Sequence, residues 1–300
     1  MFERILVPLD GTPQSAVALP LARTLARACH SQITLIRVAA APAEREEAGR
    51  YLAKIAGELQ AETFTVATQV WSGIDVASQL LWAIGEAEAD VVVMSTHGRS
   101  GIRRAVMGSV AESVVSQSRV PVLLVRPGGK RSTNLRTLLV PVDGTPGGAL
   151  ALGHAVGLAR STGARLVLLE VVVPIPLWLY SAGLGAAPNV PIDPSWDDDA
   201  LRSAQSYVDA LARRLRDVGI AAEAKAGAGD VVRTIEEEAD RIDADLIVIA
   251  THARVGAARA TLGSTADALV RTAKRPVLLV RRQSHAPSTT AALGALAITT

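Results

Sequence analysis

The segment Arg4-Ile-Leu-Val-Pro-Leu-Asp-Gly-Thr-Pro13 decides the fold, because it occurs twice. It returns 133 residues later as Thr137-Leu-Leu-Val-Pro-Val-Asp-Gly-Thr-Pro146. An apolar run that ends in Asp-Gly-Thr-Pro is typical of a buried strand turning into a helix, with Thr as the N-cap and Pro at the first helical position. The repetition predicts two copies of one α/β unit.

Two later segments also repeat, but at a larger spacing. Ala89-Asp-Val-Val-Val-Met-Ser-Thr-His97 returns as Ala244-Asp-Leu-Ile-Val-Ile-Ala-Thr-His252, and Val120-Pro-Val-Leu-Leu-Val-Arg126 returns as Arg275-Pro-Val-Leu-Leu-Val-Arg281, both 155 residues on. The second copy therefore carries about 22 extra residues, which include an uncharged, Pro-rich insertion at about 174–196. We predict domains at 1–130 and 131–283, followed by a loose Ala/Ser/Thr-rich tail at 284–300.

Short apolar runs alternate with amphipathic runs in each copy, as in a parallel sheet covered by helices. We predict strands near 4–9, 32–38, 63–70, 90–95 and 121–126, and again near 136–142, 165–172, 221–226, 245–250 and 276–281. Helices are predicted near 13–29, 44–61, 75–88 and 109–118, and near 146–161, 197–217, 230–242 and 264–273. The fold class is α/β: two tandem doubly wound, Rossmann-like domains, each a five-stranded parallel sheet with helices on both faces.

Composition excludes several classes of protein. Hydrophobic residues make up 49% of the 300 and charged residues 20%, so the chain can bury a core. A net charge of +2 argues against a nucleic-acid-binding protein that neutralises phosphates. No Gly-x4-Gly-Lys-Ser/Thr segment and no Gly-x-Gly-x-x-Gly after a strand is present, which argues against P-loop and dinucleotide-binding enzymes.

Cysteine content and the first residues indicate the compartment. The single cysteine, Cys29, excludes an internal disulfide framework, and no signal-peptide apolar region follows Met1, so we expect a cytoplasmic protein. The uncharged stretch from Val171 to Ile192 has the length of a membrane span, but it contains four prolines. Because prolines remove helical hydrogen bonds, we expect no membrane span there and interpret it as a buried or partner-covered loop.

Ligands of open parallel sheets bind beyond the carboxyl ends of the strands, where the connections reverse direction. Asp10 lies at the tip of the first predicted strand, and Asp143 occupies the same place in the second copy. Two interpretations stay open. The carboxylate either closes an Asx-type turn or accepts hydrogen bonds from ligand hydroxyls.

The loop after the fourth predicted strand runs from Ser95 to Ser109. Gly98 and Gly101 are predicted to adopt positive φ and to let the backbone approach a ligand. The Gly108-Ser109 pair then opens a helix, whose free amides favour an anion, although Ser109 with Glu112 also fits a simple capping box.

Several charged and titratable groups lie in this loop or in its counterpart in the second copy. Arg99, Arg103 and Arg104 either bring positive charge to a ligand or are solvated surface residues. His97 and His252 recur beside the loop without a nucleophile or metal-ligand cluster near them in sequence. We therefore predict structural histidines, no catalytic residue and no metal site.

Both copies of the repeat resemble the universal stress protein family. The family's adenine-nucleotide motif is Gly-x2-Gly-x9-Gly-Ser/Thr, and this chain has Ser95, Gly98, Gly108 and Ser109 at that spacing. The second copy has Ala250, Ala253, Gly263 and Ser264, so two glycines are lost. Because alanine at a positive-φ site is strained and crowds phosphates, we expect the second site to bind nucleotide more weakly or not at all.

The resemblance implies ATP as the cofactor, with Mg²⁺ as a candidate accompanying ion. Asp10 would contact the ribose or adenine side, the Val38 backbone the base, and the glycines and Ser109 the phosphates. The implied binding residues are Pro8, Asp10, Val38, Gly98, Arg99, Gly101, Gly108 and Ser109 in the first copy, and Asp143, Val171, Gly263 and Ser264 in the second.

Three functional hypotheses follow. The first is an ATP-binding universal stress protein that acts as a nucleotide-responsive regulator in the stress response and signals to an unknown protein partner. The second is a nucleotide-independent protein-interaction scaffold that uses the insertion. The third is a slow ATP hydrolase. The Val/Leu-rich terminal strands are predicted edges, which in this family commonly pair domains, so we expect the copies to pair within the chain and a homodimer of chains to form.

Overall fold

The computed structural model describes residues 1–98, 107–130, 133–174, 195–251 and 263–281. The strands are β1 Arg4–Pro8, β2 Gln32–Ala39, β3 Val66–Ser72, β4 Val91–Ser95, β5 Val122–Val125, β6 Thr137–Pro141, β7 Arg165–Val172, β8 Ala222–Ala228, β9 Leu246–Thr251 and β10 Val277–Arg281. The helices are α1 Pro13–Ala16, α2 Leu19–Cys29, α3 Glu44–Ala61, α4 Val76–Glu86, α5 Ser109–Gln117, α6 Pro146–Thr162, α7 Ser195–Asp217, α8 Val231–Arg241 and α9 Ser264–Thr272. The predicted α/β class is confirmed.

One predicted helix is wrong. Residues 13–29 form two helices, α1 and α2, with Val17 and Ala18 between them. Pro20 lies in the first turn of α2, and since proline has no backbone N–H, it cannot donate to the Ala16 carbonyl as a continuous helix would require. Gly153 stands at the equivalent place in α6, which is continuous over 17 residues.

All ten strands form one sheet in the order β3-β2-β1-β4-β5-β10-β9-β6-β7-β8. Strands are parallel within each copy, whereas β5 and β10 pair antiparallel, with Leu123 opposite Leu278. The expected pairing of the copies within the chain is thus confirmed. Because β5 and β10 run in opposite directions, the carboxyl ends of the two sets of strands lie at opposite ends of the sheet.

Reciprocal hydrogen bonds flank this central seam. Arg126 Nη1 donates to the carbonyl oxygen of Arg271 at 2.5 Å, and the Arg281 guanidinium donates to the carbonyl oxygen of Ser116. The repeat spacing of 155 relates Arg126 to Arg281 and Ser116 to Arg271. The two copies therefore meet with local two-fold symmetry.

The sheet is covered on both faces by helices, and each face carries one apolar core that continues through both copies. One core packs against α2, α3, α6 and α7, and the other against α4, α5, α8 and α9. No helix in the described part of the chain is both long and apolar enough to cross a bilayer. Residues 175–194 of the insertion and the predicted tail lie outside the described residues, so the scaffold hypothesis stays a prediction.

Candidate functional site

A cavity of about 260 Å³ lies beyond the carboxyl ends of β1, β2 and β4. Here β1 is flanked by β2 on one side and β4 on the other, so the cavity is at the point where the connections reverse direction. Six predicted residues line it: Pro8, Asp10, Val38, Gly98, Gly108 and Ser109. The predicted Arg99 and Gly101 lie outside the described residues.

Asp10 closes a turn between β1 and α1, as the first of its two interpretations predicted. Its Oδ1 accepts the Thr12 backbone N–H at 2.9 Å and the Thr12 hydroxyl at 2.6 Å, which is an Asx-type turn. Thr12 is in turn the N-cap of α1 and accepts the Ser15 N–H, with Pro13 in the first turn. The second carboxylate oxygen, Oδ2, is directed towards Gly98 at the cavity wall. The turn therefore fixes the carboxylate at the site.

The reason for glycine at position 98 differs from the prediction. Gly98 does not have positive φ, so the predicted left-handed conformation is wrong. A Cβ at this position would instead lie 2.7 Å from Asp10 Oδ2, well inside contact distance. Glycine is required because the Asp10 carboxylate approaches the backbone. The corresponding argument about Ala253 falls on a residue outside the described ones.

The capping-box interpretation of Ser109 is also wrong. Gly108 is the N-cap of α5, no side chain of the described residues caps the helix, and Ser109 is the first helical residue. The first amides of an α-helix lack partners within the helix, and its dipole places partial positive charge there. Since this end borders the cavity, α5 offers backbone donors to an anion, and the exposed Ser109 hydroxyl lies beside them.

The opposite side of the cavity is apolar. Val38, Ile36, Val76, Leu80 and Met94 contribute to its lining, from β2, α4 and β4. The cavity thus combines an apolar wall, a fixed carboxylate and an uncapped helix end. This arrangement fits a ligand with a flat apolar group, hydroxyls and an anionic group.

His97 also lines the cavity, and its ring is held by a neighbour. His97 Nδ1 lies 2.8 Å from the Thr96 hydroxyl, and the His97 N–H donates to Ser95 Oγ at 3.2 Å. These local hydrogen bonds orient the loop, as the structural interpretation of His97 requires.

Sequence reasoning missed a group behind the Asp10 turn, on the α3 side of the sheet. Arg37 is buried with a 5% exposed side chain, and its Nη2 pairs with Glu47 Oε1 at 3.2 Å. The guanidinium carbon lies 5.5 Å from the centre of the Tyr51 ring. Burial and the Asp10 charge raise the pKa of Tyr51, whereas Arg37 opposes that rise. The signal was a charged residue within the apolar strand β2.

A second cavity, of about 450 Å³, lies at the carboxyl ends of β6, β7 and β9. Four predicted residues line it: Asp143, Val171, Gly263 and Ser264. Asp143 repeats the Asx turn, since its Oδ1 accepts the Thr145 N–H at 3.0 Å and the Thr145 hydroxyl at 2.6 Å. Gly263 repeats the uncapped start of a helix, here α9. The second copy therefore keeps the frame of the site.

The group behind the second turn has the opposite charge. Glu170 stands where Arg37 stands in the first copy, and its Oε2 is buried with no hydrogen-bond partner in the described structure. Burial and the neighbouring Asp143 charge raise the pKa of Glu170. Burial, Glu170 and Asp143 likewise raise the pKa of Tyr207, the counterpart of Tyr51. Acidic groups thus accumulate behind this turn.

The sheet order and the cavity at its reversal point define a doubly wound α/β protein with a candidate ligand site at the strand ends. A model of the universal stress protein family matches residues 1–126 and again 134–281. The chain belongs to that family.

The chain is also similar to individual universal stress proteins. A universal stress protein of Mycolicibacterium smegmatis is 27% identical over 301 residues, which cover 92% of this chain and 96% of the relative. A solved universal stress protein from Archaeoglobus fulgidus has the same fold, with a TM-score of 0.72 and 19% identity over 93% of this chain and 98% of that chain. A shorter match, a universal stress protein solved in complex with cAMP, is 22% identical over 42% of this chain and 97% of that chain, with a TM-score of 0.36.

Proposed function

We propose that this universal stress protein binds ATP in the first cavity and acts as a nucleotide-responsive regulator in the stress response. The observation that carries the proposal is the combination of an apolar wall, the Asp10 carboxylate and the uncapped start of α5 in one cavity. The cavity volume of about 260 Å³ is slightly below the range of roughly 300–1,000 Å³ that is typical of small-molecule sites.

Each part of the nucleotide has a matching surface. Adenine would lie against the apolar wall around Val38, and a ribose hydroxyl would donate a hydrogen bond to Asp10. The phosphates would accept hydrogen bonds from the first amides of α5 and from Ser109, with Mg²⁺ accompanying them. The protein partner that reads the bound state is unknown, and a cytoplasmic homodimer is part of this proposal.

The proposed role is binding rather than hydrolysis. Asp10 Oδ1 and His97 Nδ1 are engaged in local hydrogen bonds, and the proposal places a ribose hydroxyl at the other Asp10 oxygen, so we assign no general base to this site. We expect no ATP turnover above background in a coupled phosphate-release assay. Turnover that Asp10→Asn abolishes would instead support the hydrolase hypothesis.

Gly98→Ala tests the site directly. The added methyl group would displace the Asp10 carboxylate, so we expect ATP affinity to fall at least tenfold in isothermal titration calorimetry. Gly85→Ala is the matched control, because a Cβ at Gly85 meets no atom within 4 Å and the residue lies on the helix α4. ATP affinity that is equal in both variants and in the wild type would refute this placement.

Nucleotide that copurifies gives an independent test. We expect acid extraction of freshly purified protein to release an adenine nucleotide at no more than one equivalent per chain. Two equal tight sites per chain in a titration would contradict the proposed weakness of the second cavity.

A further inference from the structure

Residues 37 and 170 occupy equivalent places but carry opposite charges. Each precedes the cavity-lining valine of its copy, Val38 on β2 or Val171 on β7. Each also lies on the sheet face opposite that valine, behind the aspartate turn. The exchange therefore alters the charge next to the cavity without altering its walls.

Arg37 contacts the turn that carries Asp10. Gly11 follows Asp10 with φ of +90°, and a Cβ there would lie 2.9 Å from Arg37 Nη1. The guanidinium is held in this place by Glu47 and by the Tyr51 ring. The positive charge is thus buried directly behind the first strand tip, and its fixed position makes its field persistent.

Glu170 produces the opposite field in the second copy. Its carboxylate oxygen Oε2 is buried, and no cation of the described residues hydrogen-bonds to that oxygen. The negative charge of Asp143 repels the ionised carboxylate. Gly144, the counterpart of Gly11, has φ of +68° and no atom within 4 Å of a built Cβ. Among the described residues, the neutral Tyr207 hydroxyl hydrogen-bonds to the Gly144 backbone, and no cation takes the place at this turn that Arg37 has at the first.

The formal charges show the size of the contrast. Asp10, Arg37 and the Arg37 partner Glu47 sum to −1, whereas Asp143 with Glu170 sums to −2 when both are ionised. The Glu47 side chain is 66% exposed, so solvent screens its charge more than that of the buried Arg37. A triphosphate is a polyanion, and in a partly buried setting charges several ångströms apart still interact appreciably. The binding free energy of an uncharged nucleoside depends only weakly on this difference in charge. The two cavities should thus differ in the charge of the ligand they accept.

We infer that Arg37 and Glu170 determine ligand charge: the first cavity accepts a nucleoside triphosphate, and the second rejects it in favour of the uncharged nucleoside. This inference rests on the proposed function of the first cavity. The second cavity keeps an aspartate for hydroxyls and an apolar wall of Val171, Val231, Ile235 and Ile249. These features suit the nucleoside part of the ligand.

The first experiment compares ATP with adenosine at the first cavity. We expect Arg37→Gln to weaken ATP binding about tenfold and adenosine binding by less than twofold. Arg37→Lys should restore most of the ATP affinity, because the inference depends on the positive charge and not on the shape of the guanidinium. Raising the salt concentration should reduce the difference between ATP and adenosine. A purely structural role of Arg37 would lower both affinities together, which would overturn the inference.

The second experiment isolates the second cavity. Gly98→Glu, or Gly98→Ala where the first fails to fold, closes the first cavity through the contact with Asp10. In that background we expect adenosine to bind more tightly than ATP. Adding Glu170→Gln, which is nearly isosteric, should raise ATP affinity about tenfold and leave adenosine within twofold.

The outcomes separate the two claims. Wild-type protein that binds no ATP refutes the proposed function and the inference with it. ATP binding with an unchanged ratio of ATP to adenosine affinity in Arg37→Gln and Glu170→Gln refutes the inference alone. A second cavity that binds neither probe, with Glu170 or with Gln, also overturns the inference.

Discussion

The two copies share a backbone plan, but they differ in what stands behind the strand tips. In the first copy, Arg37 packs under the Asp10 turn, and Ser15 Oγ accepts the Asp10 N–H at 3.2 Å. In the second, Glu170 and Gly148 hold the same two places. Both copies nevertheless keep the Asx turn, the threonine N-cap and the uncapped helix at the cavity.

This difference shows which features belong to the fold and which to the site. The turn and the caps satisfy backbone groups, so both copies need them to fold. The residues behind the turn satisfy no backbone requirement common to both copies, and they are free to change charge. Under the inference above, divergence of this kind gives one chain two sites with different ligands.

The largest effect is expected at the seam that both copies share. Leu123 and Leu278 are opposite each other and are both 1% exposed. We expect Leu123→Ala and Leu278→Ala each to lower the free energy of unfolding by about 2–5 kcal/mol, by loss of burial and by cavity formation. Urea unfolding should show a similar loss of unfolding free energy for both variants. A loss confined to a transition of one copy would contradict a shared seam.

The next effect separates the two aspartate turns. In Gly11→Ala the new Cβ is strained by positive φ and also collides with the fixed Arg37 guanidinium. In Gly144→Ala only the strain of positive φ arises. We expect a loss of about 1 kcal/mol for Gly144→Ala and about 2–3 kcal/mol for Gly11→Ala. Equal losses in chemical denaturation would mean that Arg37 does not brace the first turn.

A smaller effect depends on pH. The pKa of Glu170 is raised in the folded protein by burial and by Asp143, so the folded state favours the protonated form. That stability is present below the unfolded pKa of about 4.3 and is lost as the pH rises through the raised folded value. The free energy of unfolding of Glu170→Gln should therefore equal that of the wild type near pH 4 and be about 1 kcal/mol higher than that of the wild type at pH 8.

The control for this pH effect is another glutamate of the same copy. Glu223→Gln removes an exposed partner of Arg165 and should change stability by less than about 0.5 kcal/mol at either pH. Thermal melts at pH 4 and pH 8 provide the comparison. A Glu170→Gln advantage that is as large at pH 4 as at pH 8 would exclude ionisation as its cause.

The smallest effect concerns α4 and its counterpart α8. Trp82 on α4 is 68% exposed, and Glu237 takes its place on α8, where it pairs with Arg233 at 2.7 Å. We expect Trp82→Glu to change stability by less than about 0.5 kcal/mol, because little of the side chain is buried. Trp71 is half-buried, and its indole N–H donates to Gln69. Trp71→Glu should therefore lower the free energy of unfolding by more than Trp82→Glu does. Comparable losses would mean that Trp82 is covered in solution.

The repeat in the sequence predicted most of the architecture. Apolar segments that recur after 133 or 155 residues specify equivalent strands, and the predicted edge strands of the two copies indicated the seam between β5 and β10. The break before α2 was readable as well, since Pro20 follows Ala16 by four residues. It was missed because Pro13 already fits the first helical position, so the apolar spacing that follows it was interpreted as a single helix.

The parts of the site that escaped prediction depend on distances between distant residues. Gly98 is fixed by Asp10 Oδ2, which no local pattern reveals. The Tyr51 and Tyr207 pair was hidden because these residues are 156 apart, a spacing that neither 133 nor 155 aligns. Arg37 and Glu170 do align at 133, but charge within a strand ordinarily indicates an exposed position.

The antiparallel seam also orders events during synthesis. β5 ends at Val125, whereas its partner β10 begins only at Val277, the last strand that the structure describes. At roughly 5–20 residues per second, the ribosome needs about 8–30 s to make the intervening 150 or so residues. During that interval the nascent first copy presents an unpaired strand edge. Its four-residue length limits the chance that another nascent chain adds to it.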